Sequence, residues 1–518
     1  MKVKRSNVLR YGYNTPDNGG MVSNDLLQSN SEQEGGIQKD AKVEYYDIQG
    51  LINDLTEPSV WKTHIDNDLM KFWKKDATEL QGGLFPTYLS NEGYRFPQER
   101  DKWPEEIERA YENNDTRGLI TPEYNFVRAH SRLTYANGIA FHVTGNEDYL
   151  KQCKKGTEAL IEAIDGNHGM FTQQEKKSEK WGQSRDERTS QDLAYGLTGL
   201  CMYYFLTHDE TVLHHIIKIK DYIFDTYFDE GKGYLTWLPK DNLNNSVEIV
   251  AQLDQIYAYM LFVTPSLPEP YQSQWKQDLK NIVDILIYRF YSERYEFFWG
   301  QDTSSSVKNL GTDHTDFGHS VKTMWLILMV GALLKDMSYV TFAREKIDRI
   351  LKEAYIKEDK CWGRRFDEHG NMDKDKEWWI LAELDQAAAI LSLNDPSYLD
   401  YLNHTYKYWL TYMVDHENGE IWHMVDGETN KPVPNYPKVH NWKTSLHSFE
   451  HGLFGYMTSS EIKDMNFELY YAFSKKVDAQ TAQPYIFRAN KVSIEYYQEL
   501  SFMEDRNRVV KVTYNGLR

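Results

Sequence analysis

Four stretches of this chain set histidine, arginine and carboxylates among aromatic residues. The first, Phe126-Val127-Arg128-Ala129-His130-Ser131-Arg132-Leu133-Thr134-Tyr135, holds two arginines four positions apart, on one face of a helix. Such a pair suits a carbonyl oxygen or an anion, or forms a salt-bridged surface. The apolar run after Arg132 points to burial there, and a buried guanidinium needs a partner. The second runs from Asp313 to Trp325 and places Gly318-His319 at the head of an apolar helix, with Lys322 three positions on. In the third, Glu377 to Asp385, Trp379 and Glu383 share a face. They read as a core-edge pair, or as a sugar-stacking indole beside a hydroxyl-binding carboxylate. The fourth packs His440, Trp442, His447 and His451 into twelve residues. It has no ligand spacing of the H-E-x-x-H kind, so no metal is expected. An isolated histidine is more often structural than chemical. Imidazole nonetheless titrates near ~6.5, which suits both taking and returning a proton.

These segments need a scaffold, and hydropathy supplies one. Apolar residues recur at three- and four-residue spacing in twelve windows, about 57–77, 122–143, 147–163, 188–207, 209–228, 247–262, 271–291, 313–335, 338–355, 376–393, 396–414 and 440–457. Thr121-Pro122 and Asp395-Pro396 look like helix starts, each a capping side chain before a first-turn proline. Short joints such as Thr144 to Asp148 alternate with longer ones carrying glycine and aromatics: Gly82-Gly83-Leu84-Phe85, Gly231-Lys232-Gly233-Tyr234, Cys361-Trp362-Gly363 and Gly419-Glu420-Ile421-Trp422. The longer joints read as hairpins. The alternation makes a weak repeat of helix pairs, which predicts an all-α toroid of six inner and six outer helices. The aromatic hairpins gather on one rim, around a pocket; an open α-solenoid is the alternative. Residues 1–45 read as a polar extension, 46–464 as the barrel and 465–518 as a β-rich appendage. Its expected strands are Phe467–Phe473, Pro484–Phe487 and Val509–Tyr514.

Composition narrows the function. With 59 Lys+Arg against 78 Asp+Glu the net charge is −19, which argues against a nucleic-acid partner. No apolar run approaches the ~18 residues of a membrane helix. No secretory pattern follows Met1. The three scattered cysteines, Cys153, Cys201 and Cys361, form neither a zinc pattern nor a disulfide framework. A reducing, cytoplasmic setting is the expectation. Aromatics make up 14% of the chain. Core filling explains most of them, and sugar stacking stays open.

The four segments, with Phe72-Trp73 and Gly82-Gly83-Leu84-Phe85, resemble the N-acylglucosamine 2-epimerase superfamily over residues 57–457. That group includes cellobiose 2-epimerases and aldose–ketose isomerases. The resemblance implies an (α/α)6 barrel that moves a proton beside a sugar carbonyl through an enediol, with no metal or redox cofactor. It implies His319 and His447 as the acid/base pair and Arg132 as the stabiliser of the enediolate oxygen. It also implies Trp379 and Glu383 as sugar binders, with Trp442, Lys322, Gln252 and Gln255 around the substrate; Arg128, one turn before Arg132, is a substrate-binding candidate from its spacing alone. The substrate would be a mono- or disaccharide, and the enzyme a monomer or homodimer. Three positions, in two motifs, depart from the family. Lys322 stands where Gly-His-x-x-Glu is usual. Gln252 and Gln255 stand where a Met-His-x-x-Glu-Ala helix is usual. An ammonium beside His319 should disfavour the imidazolium and favour an acidic sugar. A glycoside hydrolase or polysaccharide lyase is the alternative enzyme, drawing on Asp254, Asp313, Asp316, Glu383 or Glu450. A barrel that has lost its chemistry is the third reading.

Overall fold

The computed structural model describes residues 2–4, 45–80, 84–113, 116, 118–301, 310, 312–503 and 506–518. The polar extension and Gly82-Gly83 fall largely or wholly outside them. Twelve long helices follow the expected windows: 58–73, Val127–Thr144, Glu147–Glu162, Ser190–Thr207, Glu210–Tyr227, 249–263, 271–290, Phe317–Leu334, Met337–Ala354, Trp378–Ser392, 399–413 and Leu446–Ile462. Alternate members differ in pattern. Ser190–Thr207, 249–263 and Leu446–Ile462 are buried nearly all round. Glu147–Glu162, Glu210–Tyr227 and Met337–Ala354 bury one stripe. A helix apolar on all sides belongs inside, and an amphipathic one belongs at the surface. The six inner helices therefore form a ring, which closes where Leu446–Ile462 packs on Val127–Thr144. The closed toroid, not the open solenoid, is the fold.

Phe317–Leu334 is 18 residues with mean hydropathy 1.5, long and apolar enough to cross a membrane by length and composition alone. It is an inner barrel helix, 72% buried in the fold.

The short joints share one chemistry. Gly145, His208 and Lys335 close their helices in the left-handed region, at φ 72°, 54° and 60°. Asn146, Asp209 and Asp336 then cap the following helices through their side chains. Asp395 caps the turn before 399–413, as its Asp-Pro pair predicts. Thr121-Pro122 does not start a helix. A strand, Tyr124–Phe126, intervenes, and Val127 begins the helix after Phe126. The last helix starts at Leu446, six residues after its expected head, leaving His440 in a loop. Two short helices, Ile48–Asp54 and Glu105–Glu112, were not anticipated.

The long joints lie on the rim at the inner helices' N-termini. They carry hairpins such as Phe228–Asp229 with Tyr234–Leu235 and Tyr355–Ile356 with Cys361–Trp362. Two of these loops pair through Lys376–Glu377 and Met424–Val425. On the opposite rim sits an antiparallel sheet, with Arg508–Asn515 between Phe467–Phe473 and Asn490–Glu499. The third strand is Asn490–Glu499. Pro484–Phe487, expected as a strand, is instead a turn. His142 and His208, at the ends of two inner helices, meet Tyr471 and Phe473 ring to ring. The sheet's inward side chains join one continuous apolar core with the barrel.

Candidate functional site

At the N-terminal rim a cavity of about 420 Å³ opens into the ring. His319 lies in the first turn of its helix, Trp379 and His447 are each the second residue of theirs, and all three line it. The inner helices enter from the same rim, so the positive ends of their dipoles point at the cavity and favour negative charge there.

Asp316 prepares His319 twice. As the N-cap, its Oδ1 accepts the His319 backbone N–H at 2.7 Å. Its Oδ2 lies 2.7 Å from Nδ1. A proton on Nδ1 donated to the carboxylate leaves Nε2 as the basic nitrogen. Burial draws His319 below the ordinary imidazole range, against the pull of Asp316; His314 and Lys322 add to the lowering. Lys322 thus acts on His319 in the expected direction, as a minor cause.

His447 is held from behind in the same way. Its Nδ1 lies 3.0 Å from the Tyr257 hydroxyl and 3.3 Å from Glu383 Oε1. The Tyr257 ring stacks on the imidazole at 5.6 Å. Burial, then Lys322 and Arg132, pull His447 well below 6.5, so it stands neutral. Trp379 touches both imidazoles, with ring centres 4.6 Å from His319 and 6.1 Å from His447. Its indole N–H is fixed on Glu377 at 2.9 Å.

Arg132 also reaches the cavity. Its Nη1 donates to the Trp442 carbonyl at 2.7 Å, and its guanidinium lies 3.7 Å over Tyr195. Its buried Nε has no hydrogen-bond partner among the described residues. Trp442 lines the cavity beside it.

Lys322 lines the cavity too, but its ammonium donates to Asp254 at 3.0 Å. Burial works against that charge; Asp254, Tyr195 and Glu383 outweigh it and raise Lys322 above the ordinary lysine range. Gln191 at 2.6 Å and Tyr195 at 3.1 Å complete the shell of Asp254. The pair is internally neutral, which removes the free positive charge expected from Lys322.

Four residues read as substrate-binding do not line the cavity. Arg128 is paired with Asp192 and stacks 4.0 Å from Trp442, so it supports that indole from behind. Glu383 sits one layer down, accepting from Trp325 Nε1 at 2.8 Å. Gln252 is consumed by the backbone N–H and C=O of Leu235. Gln255 takes the Tyr259 hydroxyl at 3.0 Å and donates to the Ser190 carbonyl. Each step along a helix turns a side chain by about 100°. The 249–263 helix therefore presents Asp254 and Tyr257 to the site, and Gln252 and Gln255 elsewhere. The role of Asp316 was readable as an Asp three residues before a helical His. That of Tyr257 carried no local signal.

The fourth segment divides. His440 pairs with His423 at 2.9 Å on the cavity wall. His451 donates to Asp385 at 2.9 Å inside the barrel wall. Among the described residues, Glu383, His447 and Glu450 form a group whose ligand atoms lie within 4.8 Å of one another. Glu450 is already met by the hydroxyls of Tyr257 and Tyr485, each at 2.7 Å.

The fold and the site define an (α/α)6 barrel with a polar, aromatic-walled cavity at one rim. Comparison with known proteins agrees. Residues 269–442 match the family model described as N-acylglucosamine 2-epimerase (GlcNAc 2-epimerase). Cellobiose 2-epimerase from Spirochaeta thermophila DSM 6192 superposes with TM-score 0.65 at 17% identity, covering 80% of this chain and 99% of that one. Cellobiose 2-epimerase from Bacillus thermoamylovorans B4167 gives 0.63 at 16%, covering 77% and 98%. A D-mannose isomerase gives 0.61 at 15%, covering 77% and 97%. No curated protein sequence matches the chain. The matched segment, about a third of the chain, is similar to that family, and the solved structures share the fold.

Proposed function

We propose that this chain is a sugar epimerase or aldose–ketose isomerase working by proton transfer beside the carbonyl of a ring-opened mono- or disaccharide. One observation carries the reading. Two neutral imidazoles share one cavity on the same indole, and each has its Nδ1 engaged from behind. One histidine Nε2 takes the C2 proton. The C2–H electrons form the C1–C2 double bond, and the carbonyl electrons move to O1 as an enediolate. Arg132 and the converging helix N-termini lower the energy of that charge. Returning a proton to the opposite face of C2 gives the epimer. Returning it to C1, with the O2 proton passing to O1, gives the ketose.

Two of the three carboxylates that line the cavity do not suit the general acid of glycoside hydrolysis. That chemistry needs a general acid of raised pKa. Asp254 and Asp316 are instead held below the ordinary carboxylate range, because Lys322 and His319 outweigh the effect of burial. Burial raises Glu377 above the ordinary carboxylate range, but its oxygens are engaged by Arg364 and the Trp379 indole N–H. Lys322 and Arg364 are each neutralised by carboxylates, so neither is free to bind an acidic sugar, and we take the substrate as neutral. The free, buried cysteines support a reducing, cytoplasmic setting.

The test is solvent-isotope incorporation. With a neutral aldose in D2O, deuterium should enter at C2 or C1. His319→Asn and His447→Asn should each lose exchange with the fold intact. Exchange at the wild-type rate in either variant removes that residue, and hydrolysis without exchange removes the reading. A clear preference for acidic aldoses overturns the neutral-sugar assignment.

A further inference from the structure

The rim opposite the cavity is closed by the C-terminal sheet and the loop after Phe467–Phe473. That loop sends Tyr485 into the barrel axis, where its ring stacks on Phe262 at 5.4 Å and is 2% exposed. The backbone there has φ 57°, a left-handed conformation that disfavours an aromatic residue. Filling an apolar floor requires only a phenyl ring. The hydroxyl does something further: it donates to Glu450 Oε1 at 2.7 Å and meets the Tyr135 hydroxyl at 2.7 Å.

Glu450 is fully buried, and its partners are neutral. Tyr257 donates to Oε2 at 2.7 Å, Tyr135 to Oε1 at 3.3 Å and Gln386 to Oε2 at 3.4 Å. No lysine or arginine pairs with it among the described residues. Its charge therefore depends on these donors, and a buried carboxylate that loses one is harder to keep ionised. Tyr257, spending its own proton on Glu450, presents its oxygen to His447 Nδ1 at 3.0 Å. Hydrogen bonds linked in this way strengthen one another.

We propose that Tyr485 is a positioning residue for His447. Through Glu450 and Tyr257 it holds the Nδ1–H and keeps a negative charge behind the imidazole as the imidazolium forms. The appendage is thus part of the reaction machinery as well as a cover for the barrel end. The proposal rests on the role of His447 given above.

The experiment uses the full chain with Tyr485→Phe, which keeps the ring and removes one oxygen. Steady-state epimerisation or isomerisation of a neutral aldose is measured beside the imidazole N–H resonance of His447. The expected result is a kcat about 10-fold lower with KM within about twofold, a displaced or exchange-broadened His447 resonance, and a preserved melting transition. Glu450→Gln should lose at least as much kcat. A wild-type kcat and unmoved resonance overturn the proposal, as does a loss confined to melting temperature and KM. If Tyr485→Phe does not fold, Tyr135→Phe decides: a kcat loss at constant KM supports the relay, and no loss overturns it. His447→Asn separates the two levels. An active His447→Asn refutes the base assignment itself. An inactive one beside an unaffected Tyr485→Phe refutes the relay alone.

Discussion

Asp316→Asn isolates what the carboxylate does for His319. One oxygen caps the Phe317–Leu334 helix and the other holds Nδ1. Asparagine caps a helix about as well as aspartate, so the helix end should survive. With the amide oxygen on the backbone N–H, the NH2 faces Nδ1. The ring proton is then driven to Nε2, the nitrogen that must accept the proton from carbon. The imidazolium formed on proton transfer also loses its counter-charge. A hydrogen bond to a charged group contributes roughly 1.5–3 kcal/mol, and tautomer reversal adds to that. A net loss of about 2–3 kcal/mol lowers kcat/KM about 30- to 150-fold. The pH profile gives a second readout. Burial already lowers His319 and Asp316 opposes it. Removing the opposition lowers the imidazole further, so the acid limb of kcat/KM moves to lower pH. The assay is washout of deuterium from a 2-deuterated aldose across pH 5–8, with a thermal melt as control. Less than a threefold loss, or an acid limb that stays in place, refutes the reasoning.

Lys322→Met strands Asp254, which is 1% exposed; losing one partner of a buried pair costs about 3–5 kcal/mol, read as a lowered melting temperature. Lys322→Met with Asp254→Leu should recover most of that stability, and a double variant no more stable than the single contradicts the pairing. Gln252→Leu leaves the Leu235 backbone groups unpaired and should cost about 1–3 kcal/mol with an unchanged KM; a KM rise beyond threefold would return Gln252 to the substrate site. Burial, then the Glu383 charge, raises Glu450 above the ordinary carboxylate range. Pushed up to about 7, the carboxylate is charged above that pH; between the unfolded value and about 7 the native state holds a proton the unfolded chain releases, so stability falls as pH rises through that window. Glu450→Gln should therefore lose less melting temperature between pH 5 and 8 than the wild type; parallel curves contradict this.

What the residues decided alone was substantial. Apolar spacing is a local property, and it located twelve helices; which of them are inner was settled by burial in the fold, where a helix buried on all sides is apolar on all sides. The Asp395 cap marked a helix start for the same local reason. The chemistry-bearing types at His319, His447, Trp379 and Arg132 were visible because imidazole, indole and guanidinium are informative wherever they occur. Tertiary structure alone decided which of them meet. Asp254 neutralises Lys322 from 68 positions away, and no spacing encodes that contact. The rotation of the 249–263 helix put Asp254 and Tyr257 at the site and Gln252 and Gln255 on neighbouring backbone. Glu383 lies below the cavity because depth along an inner helix is set by where the ring closes. Tyr485 sat in a segment whose local pattern read as a strand. Its turn delivers a hydroxyl to a carboxylate in the barrel axis, an outcome of long-range packing that periodicity does not record.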